Sequence, residues 1–131
     1  MGFAERSVLV VEDNFLAALL IELTLKEAGY RVIATVRTGE QAIEFATEHH
    51  PELVVMDVNI AGAIDGVEAA LRIRSAAGSD VLFQTAYSDR ETITRIESVP
   101  NVGRLTKPLD PARLLACVDE AFSARGRQAA H

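Results

Sequence analysis

Residues 51–59 read Pro51-Glu52-Leu53-Val54-Val55-Met56-Asp57-Val58-Asn59, and this stretch decides the fold. The apolar run Leu53–Met56 has the pattern of a short strand covered on both faces. Pro51 separates it from what precedes, because the residue before a proline is disfavoured in helical geometry. Asp57 closes the run, and a loop with Gly62 leads to a helical pattern after Gly66. A buried strand ending in a carboxylate, then a loop and a helix, places that carboxylate at the mouth of an α/β sheet. Open parallel sheets bind their ligands there.

The same unit recurs on both sides of this stretch. Ser7–Val11 is a first apolar strand, and Asp13 to Ala28 reads as a helix with Leu16, Leu19, Leu20 and Leu23 inward and Gly29 at its C-terminus. Val32–Val36 is a second strand. Thr38-x-x-Gln41 is a capping-box pattern opening a helix with Ala42, Phe45 and Ala46 inward, which stops near His49-His50. After Gly66 a helix carries Val67, Ala70 and Leu71 on one side. Val81–Gln84 is the fourth strand, and Ser88-x-x-Glu91 caps a short helix holding Ile93 and Ile96. Val102–Leu105 is a fifth strand. Asp110-Pro111 opens a last helix with Leu114, Leu115, Val118, Ala121 and Phe122 inward. Five β-α units imply a parallel sheet sandwiched by helices. The division expected is an extension over 1–6, one domain over 7–124 and a frayed tail over 125–131.

Composition narrows the function classes. The chain has 131 residues, about one domain's length. Its net charge of −6 and the lack of a basic block argue against direct nucleic-acid binding and favour a basic partner or a metal ion. No apolar run is long enough to span a membrane. Cys117 is the single cysteine; with no secretory leader, it sets the expectation of a reducing, cytoplasmic compartment. Cys117 reads as core packing, and His49-His50 as helix C-terminal residues suited to the dipole.

The strand ends carry the chemistry. Glu12 and Asp13 follow the first strand, Asp57 closes the third, Thr85 follows the fourth and Lys107 the fifth. Taken alone, Asp13 reads equally well as a helix N-cap, Thr85 as a β-favouring residue and Lys107 as a solvated lysine. Together, three carboxylates in one cleft call for a hard divalent cation such as Mg²⁺. A lysine and a hydroxyl beside them make an electrostatic clamp for phosphoryl transfer.

These residues resemble a receiver domain of two-component response regulators, over about residues 7–123. The resemblance rests on Glu12-Asp13 after Val8–Val11, on Val54-Val55-Met56-Asp57-Val58-Asn59, and on Asp65-Gly66, Thr85-Ala86 and Lys107-Pro108. It implies a doubly wound, flavodoxin-like five-stranded parallel sheet in the order 2-1-3-4-5 with helices on both faces. It implies that Asp57 takes a phosphoryl group from a sensor histidine kinase or phosphotransfer protein. Asp13 and Asp57 would ligate Mg²⁺ directly, Glu12 through water and Asn59 through its carbonyl. Thr85 and Lys107 would bind phosphoryl oxygens, and a cis bond at Pro108 would aim the lysine. Output would pass to a downstream protein or a homodimer, without nucleic-acid contact or membrane insertion.

Two departures from the family pattern stand out. The loop Asn59–Gly66 is about a residue longer than the commonest form and lacks a proline. The position three before the lysine, usually aromatic, is Arg104. Tyr87 is therefore expected to be the moving aromatic, and Arg104 a partner-contact residue on the outer face that meets an acidic group there. Two alternatives are an aspartate-nucleophile phosphohydrolase and a receiver-like binding module that is never phosphorylated. The first would need a second aspartate where Asn59 stands, and the intact acidic, hydroxyl and lysine set argues against the second.

Overall fold

The protein alternates strand and helix throughout: β1 (Ser7–Val11), α1 (Phe15–Glu27), β2 (Arg31–Val36), α2 (Gly39–His49), β3 (Leu53–Asp57), α3 (Gly66–Ala77), β4 (Asp80–Thr85), α4 (Arg90–Glu97), β5 (Gly103–Thr106) and α5 (Pro111–Ala129). This computed structural model describes residues 6–129. The strands form one sheet in the order β2-β1-β3-β4-β5, parallel at each pairing, as expected. Every residue of β1 and β3 is buried, which is why both read as unbroken apolar runs.

Side-chain alternation divides the core in two. Leu9, Val11, Val54, Met56, Val81 and Phe83 face α2, α3 and α4. Val8, Val10, Leu53, Val55, Leu82 and Leu105 face α1 and α5. Cys117 packs at the margin of this second core.

The cap at Thr38 is a full capping box with Gln41, and α2 ends at His49 with His50 in the left-handed region. Several details differ from expectation. The helix after β1 starts at Phe15, capped by Asn14 rather than Asp13, so Asp13 is free to serve the site. Its buried residues are Ala18, Ile21 and Leu25, while Leu16, Leu19, Leu20 and Leu23 face outward. A helix apolar all round has no single stripe to orient it. Leu71 on α3 is likewise exposed, and Ala69 and Ile73 do the packing with Val67 and Ala70. The cap of α4 is Asp89, not Ser88, because its carboxylate accepts from both the amide and the hydroxyl of Thr92. Residues 125–129 are helical rather than frayed: Arg125 pairs with Asp80 at 3.0 Å and Glu52 at 3.5 Å, tying α5 to the sheet. The rest of the expected tail and residues 1–5 lie outside the described residues. No described helix is long and apolar enough to cross a membrane.

Candidate functional site: an acidic cleft with a bridging lysine

One row across the sheet sets the floor of the site. Asp57 and Gln84 are paired in the β3–β4 register, Gln84 pairs with Leu105, and Glu12 lies one residue past the Val11–Met56 pair. Neighbouring residues at one level of a parallel sheet share a face. Glu12, Asp57 and Gln84 therefore point to the same side, beneath Lys107. Asp13 continues from β1 to the rim.

Glu12, Asp13 and Asp57 each offer a carboxylate oxygen, and these lie within 4.8 Å of one another. Lys107 Nζ bridges two of them, at 2.8 Å from Asp57 Oδ2 and 3.1 Å from Glu12 Oε1. Three carboxylates less one ammonium leave two negative charges, the charge that one divalent cation cancels. A donor set made only of hard oxygens fits Mg²⁺ in kind.

Electrostatics follow from burial. Asp57 is 2% exposed. Burial pushes its carboxyl up to about 6; Lys107 pulls it down, the charge of Glu12 adds to the rise, and the Asn59 amide opposes it. Burial also draws the Lys107 ammonium down, but its bonds to Asp57 and Glu12 outweigh this and hold it above the usual lysine range. The lysine is thus charged and poised between two acids.

Thr85 is fully buried at the end of β4, and its hydroxyl meets the backbone of Tyr87 on both sides. The Tyr87 ring is exposed. The Asn59 amide donates to Asp57 Oδ1 at 3.1 Å. Lys107-Pro108 is cis. Arg104 is exposed on β5, and no described acid forms the expected ion pair with it.

The long loop after β3 is folded back on α2. Thr38 and Ala61 form an isolated parallel bridge, and the Ala63 amide donates to Glu40 Oε2 at 2.9 Å. Gly62 allows this: its φ is +111°, and a Cβ there would lie 2.4 Å from Glu40 Oε1. Gly66 is required by close approach, since a Cβ would sit 2.0 Å from the Asp57 carbonyl oxygen. Asp65 caps α3 and takes a two-point bond from Arg95 of α4, at 2.6 and 3.1 Å. Neither Arg95 nor Gln84 is among the residues that the sequence motifs single out. The one signal for Gln84 is an amide that directly follows the apolar run Val81-Leu82-Phe83 within the strand.

Residues 8–119 match the family model described as the response regulator receiver domain. The chain belongs to that family. This receiver domain is 32% identical over 118 residues to the transcriptional regulatory protein PdtaR of Mycobacterium tuberculosis, covering 90% of the chain and 57% of PdtaR. It thus spans little more than half the length of that relative. It is 28% identical over 116 residues to the polar-differentiation response regulator DivK of Brucella ovis, covering 86% of the chain and 93% of DivK. Among solved structures, the signal receiver domain of a modulated diguanylate cyclase from Desulfovibrio desulfuricans superposes with a TM-score of 0.86 at 32% identity, covering 93% of this chain and 97% of that one.

Proposed function

We propose that this receiver domain takes a phosphoryl group onto Asp57 from a phosphohistidine protein, in the cytoplasm, and changes its protein contacts as a result. The observation that carries the reading is Lys107, held between Asp57 and Glu12 at 2.8 and 3.1 Å, in a cleft where negative charge is in excess.

In this reading an Asp57 carboxylate oxygen attacks phosphorus as the bond from phosphorus to the histidine nitrogen breaks. The leaving nitrogen keeps the electron pair, and the aspartyl phosphate carries the transferred group. Asp13 and Asp57 would hold Mg²⁺ directly, Glu12 through water and Asn59 by its carbonyl. When bound, Mg²⁺ supplies positive charge that lets an anionic oxygen approach an anionic phosphoryl group. Lys107 leaves Asp57 to pair with a phosphoryl oxygen, and the Thr85 hydroxyl turns from the Tyr87 carbonyl to donate to another.

A protein donor needs ground beside the cleft. The outward face of α1 supplies it: Phe15 is 76% and Leu16 73% exposed. Phe15 and Leu19 also line one cavity together with Glu12 and Asp13, so the apolar face is continuous with the site. An apolar patch rimmed by polar groups marks an interaction surface. Its occupant in this reading is the histidine-bearing donor.

No activity beyond the domain's own phosphorylation and dephosphorylation is proposed. The test is incubation with Mg²⁺ and acetyl phosphate, followed by intact mass. A labile adduct supports the receiver reading. Rapid donor turnover with no adduct favours a phosphohydrolase, and no change at all favours a binding module that is never phosphorylated.

A further inference from the structure

Gln84 is 1% exposed, yet it is polar and directly follows the buried apolar run Val81-Leu82-Phe83 in its strand. Its side chain reaches from β4 across Asp57's strand to β1, where Nε2 donates to Glu12 Oε1 at 3.1 Å. A carboxylate oxygen accepts only, so the atom facing it is the amide nitrogen. Glu12 is itself 1% exposed and must find donors inside the protein. Among the described residues it has three: the Asn14 amide on Oε2 at 3.0 Å, and Lys107 Nζ and Gln84 Nε2 on Oε1, each at 3.1 Å.

These donors are not equivalent. Asn14 is fixed by its place as the cap of α1, and Gln84 by burial in the sheet. Lys107 is the only one of the three that also bonds Asp57, and the only one the phosphoryl step calls away. A carboxylate offers about four acceptor positions. With three filled by these donors, one remains open, on Oε2.

We infer that Gln84 is a positioning residue for Glu12. It fixes the carboxylate's orientation toward the cation position and keeps Oε1 bonded when Lys107 departs. Glu12 can then serve the cation, and Lys107 the phosphoryl group, without either depending on the other. Among the described residues, the bond to Glu12 is the one side-chain hydrogen bond that Gln84 makes. A methionine or leucine would satisfy the sheet face shared with Leu82 and Leu105.

This inference rests on the receiver reading of the site, and the experiment separates the two. The thermal unfolding midpoint is followed against Mg²⁺ concentration for wild type, Gln84→Met, Gln84→Leu, Glu12→Gln and Gln84→Met/Glu12→Gln, each referred to its own metal-free midpoint. The apparent Mg²⁺ dissociation constant should rise about tenfold in Gln84→Met and Gln84→Leu, as for other residues that orient a metal ligand. In the Glu12→Gln background the further change from Gln84→Met should be less than about twofold, since residues acting through one another are not additive. Wild-type Mg²⁺ affinity in both single variants overturns the inference and leaves the receiver reading standing. An equal loss with and without Glu12 also overturns it, because a packing defect would act that way. No Mg²⁺ response in wild type overturns both.

Discussion

Thr85 and Tyr87 are joined through one hydroxyl. The Tyr87 amide donates to Thr85 Oγ1 at 2.9 Å, and that hydroxyl donates to the Tyr87 carbonyl at 3.3 Å. The group proposed to bind a phosphoryl oxygen is therefore the group that holds the next segment of chain. If the Thr85 hydrogen turns to the phosphoryl group, the Tyr87 carbonyl loses its donor. The exposed Tyr87 ring stands on the freed segment.

Tyr87→Ala should uncouple site from surface. Beryllofluoride, a phosphoryl mimic, should change affinity for a partner or a second copy by about 5- to 150-fold in wild type, the ordinary range of coupling between sites. In Tyr87→Ala this change should fall toward unity. Arg104→Ala should weaken binding with and without the mimic, because Arg104 is exposed and makes no ion pair with a described acid. An undiminished response in Tyr87→Ala would remove Tyr87 from the pathway. Binding measured by calorimetry in the four combinations decides both points.

The buried Asp57 predicts a pH dependence. Its carboxyl rises from the usual 3.8 to about 6 on folding. Between these values the metal-free folded state holds more protons than the unfolded chain, so this group's contribution to stability falls as pH rises and is fully lost above about 6. A shift of this size corresponds to at most about 3 kcal/mol. Mg²⁺ offsets this by binding the ionised cluster. The Mg²⁺-induced rise in unfolding midpoint should be larger at pH 7.5 than at pH 5. Without metal, Asp57→Asn should gain on wild type as pH rises through 6. Scanning calorimetry at the two pH values checks this; an equal Mg²⁺ effect at both would contradict it.

The leucines of α1 make a third case. Leu16 is 73% exposed, so Leu16→Glu should leave the unfolding midpoint nearly unchanged, as surface substitutions usually stay within about 0.5 kcal/mol. Phosphoryl transfer from a phosphohistidine protein should slow about tenfold, the loss of one anchor worth over 1 kcal/mol. Transfer from acetyl phosphate should be unaffected, because a small donor needs no docking face. Equal slowing with both donors would place the defect in the site instead.

The strands and their chemistry-bearing ends are legible because each has a local signature, whereas the sheet order follows only from the resemblance to the receiver family. β1 and β3 announce themselves as apolar runs, and Glu12 and Asp57 stand where those runs stop. The orientation of α1 was not legible. Leucine outnumbers every other residue in it, and which residues turn inward, Ala18, Ile21 and Leu25, is decided by packing in the fold rather than by a local pattern. The cap of α4 was misplaced by one residue because Ser88 and Asp89 both satisfy the local pattern, and only the geometry of Thr92 chooses. Gln84 was missed for a different reason. Its partner lies 72 residues away on a strand that is not its neighbour, and no local pattern encodes such a bond.

The assignment of Asp57 as acceptor is tested by the site of phosphorylation. Wild type and Asp57→Asn are incubated with Mg²⁺ and acetyl phosphate, reduced with borohydride to trap any acyl phosphate, digested and mapped by mass spectrometry. Wild type should carry one modified residue, Asp57, and Asp57→Asn should carry none while keeping its cooperative unfolding. Modification at Asp13 or Glu12 in the wild type, or an adduct in Asp57→Asn at wild-type yield, would contradict the assignment of Asp57 as the acceptor.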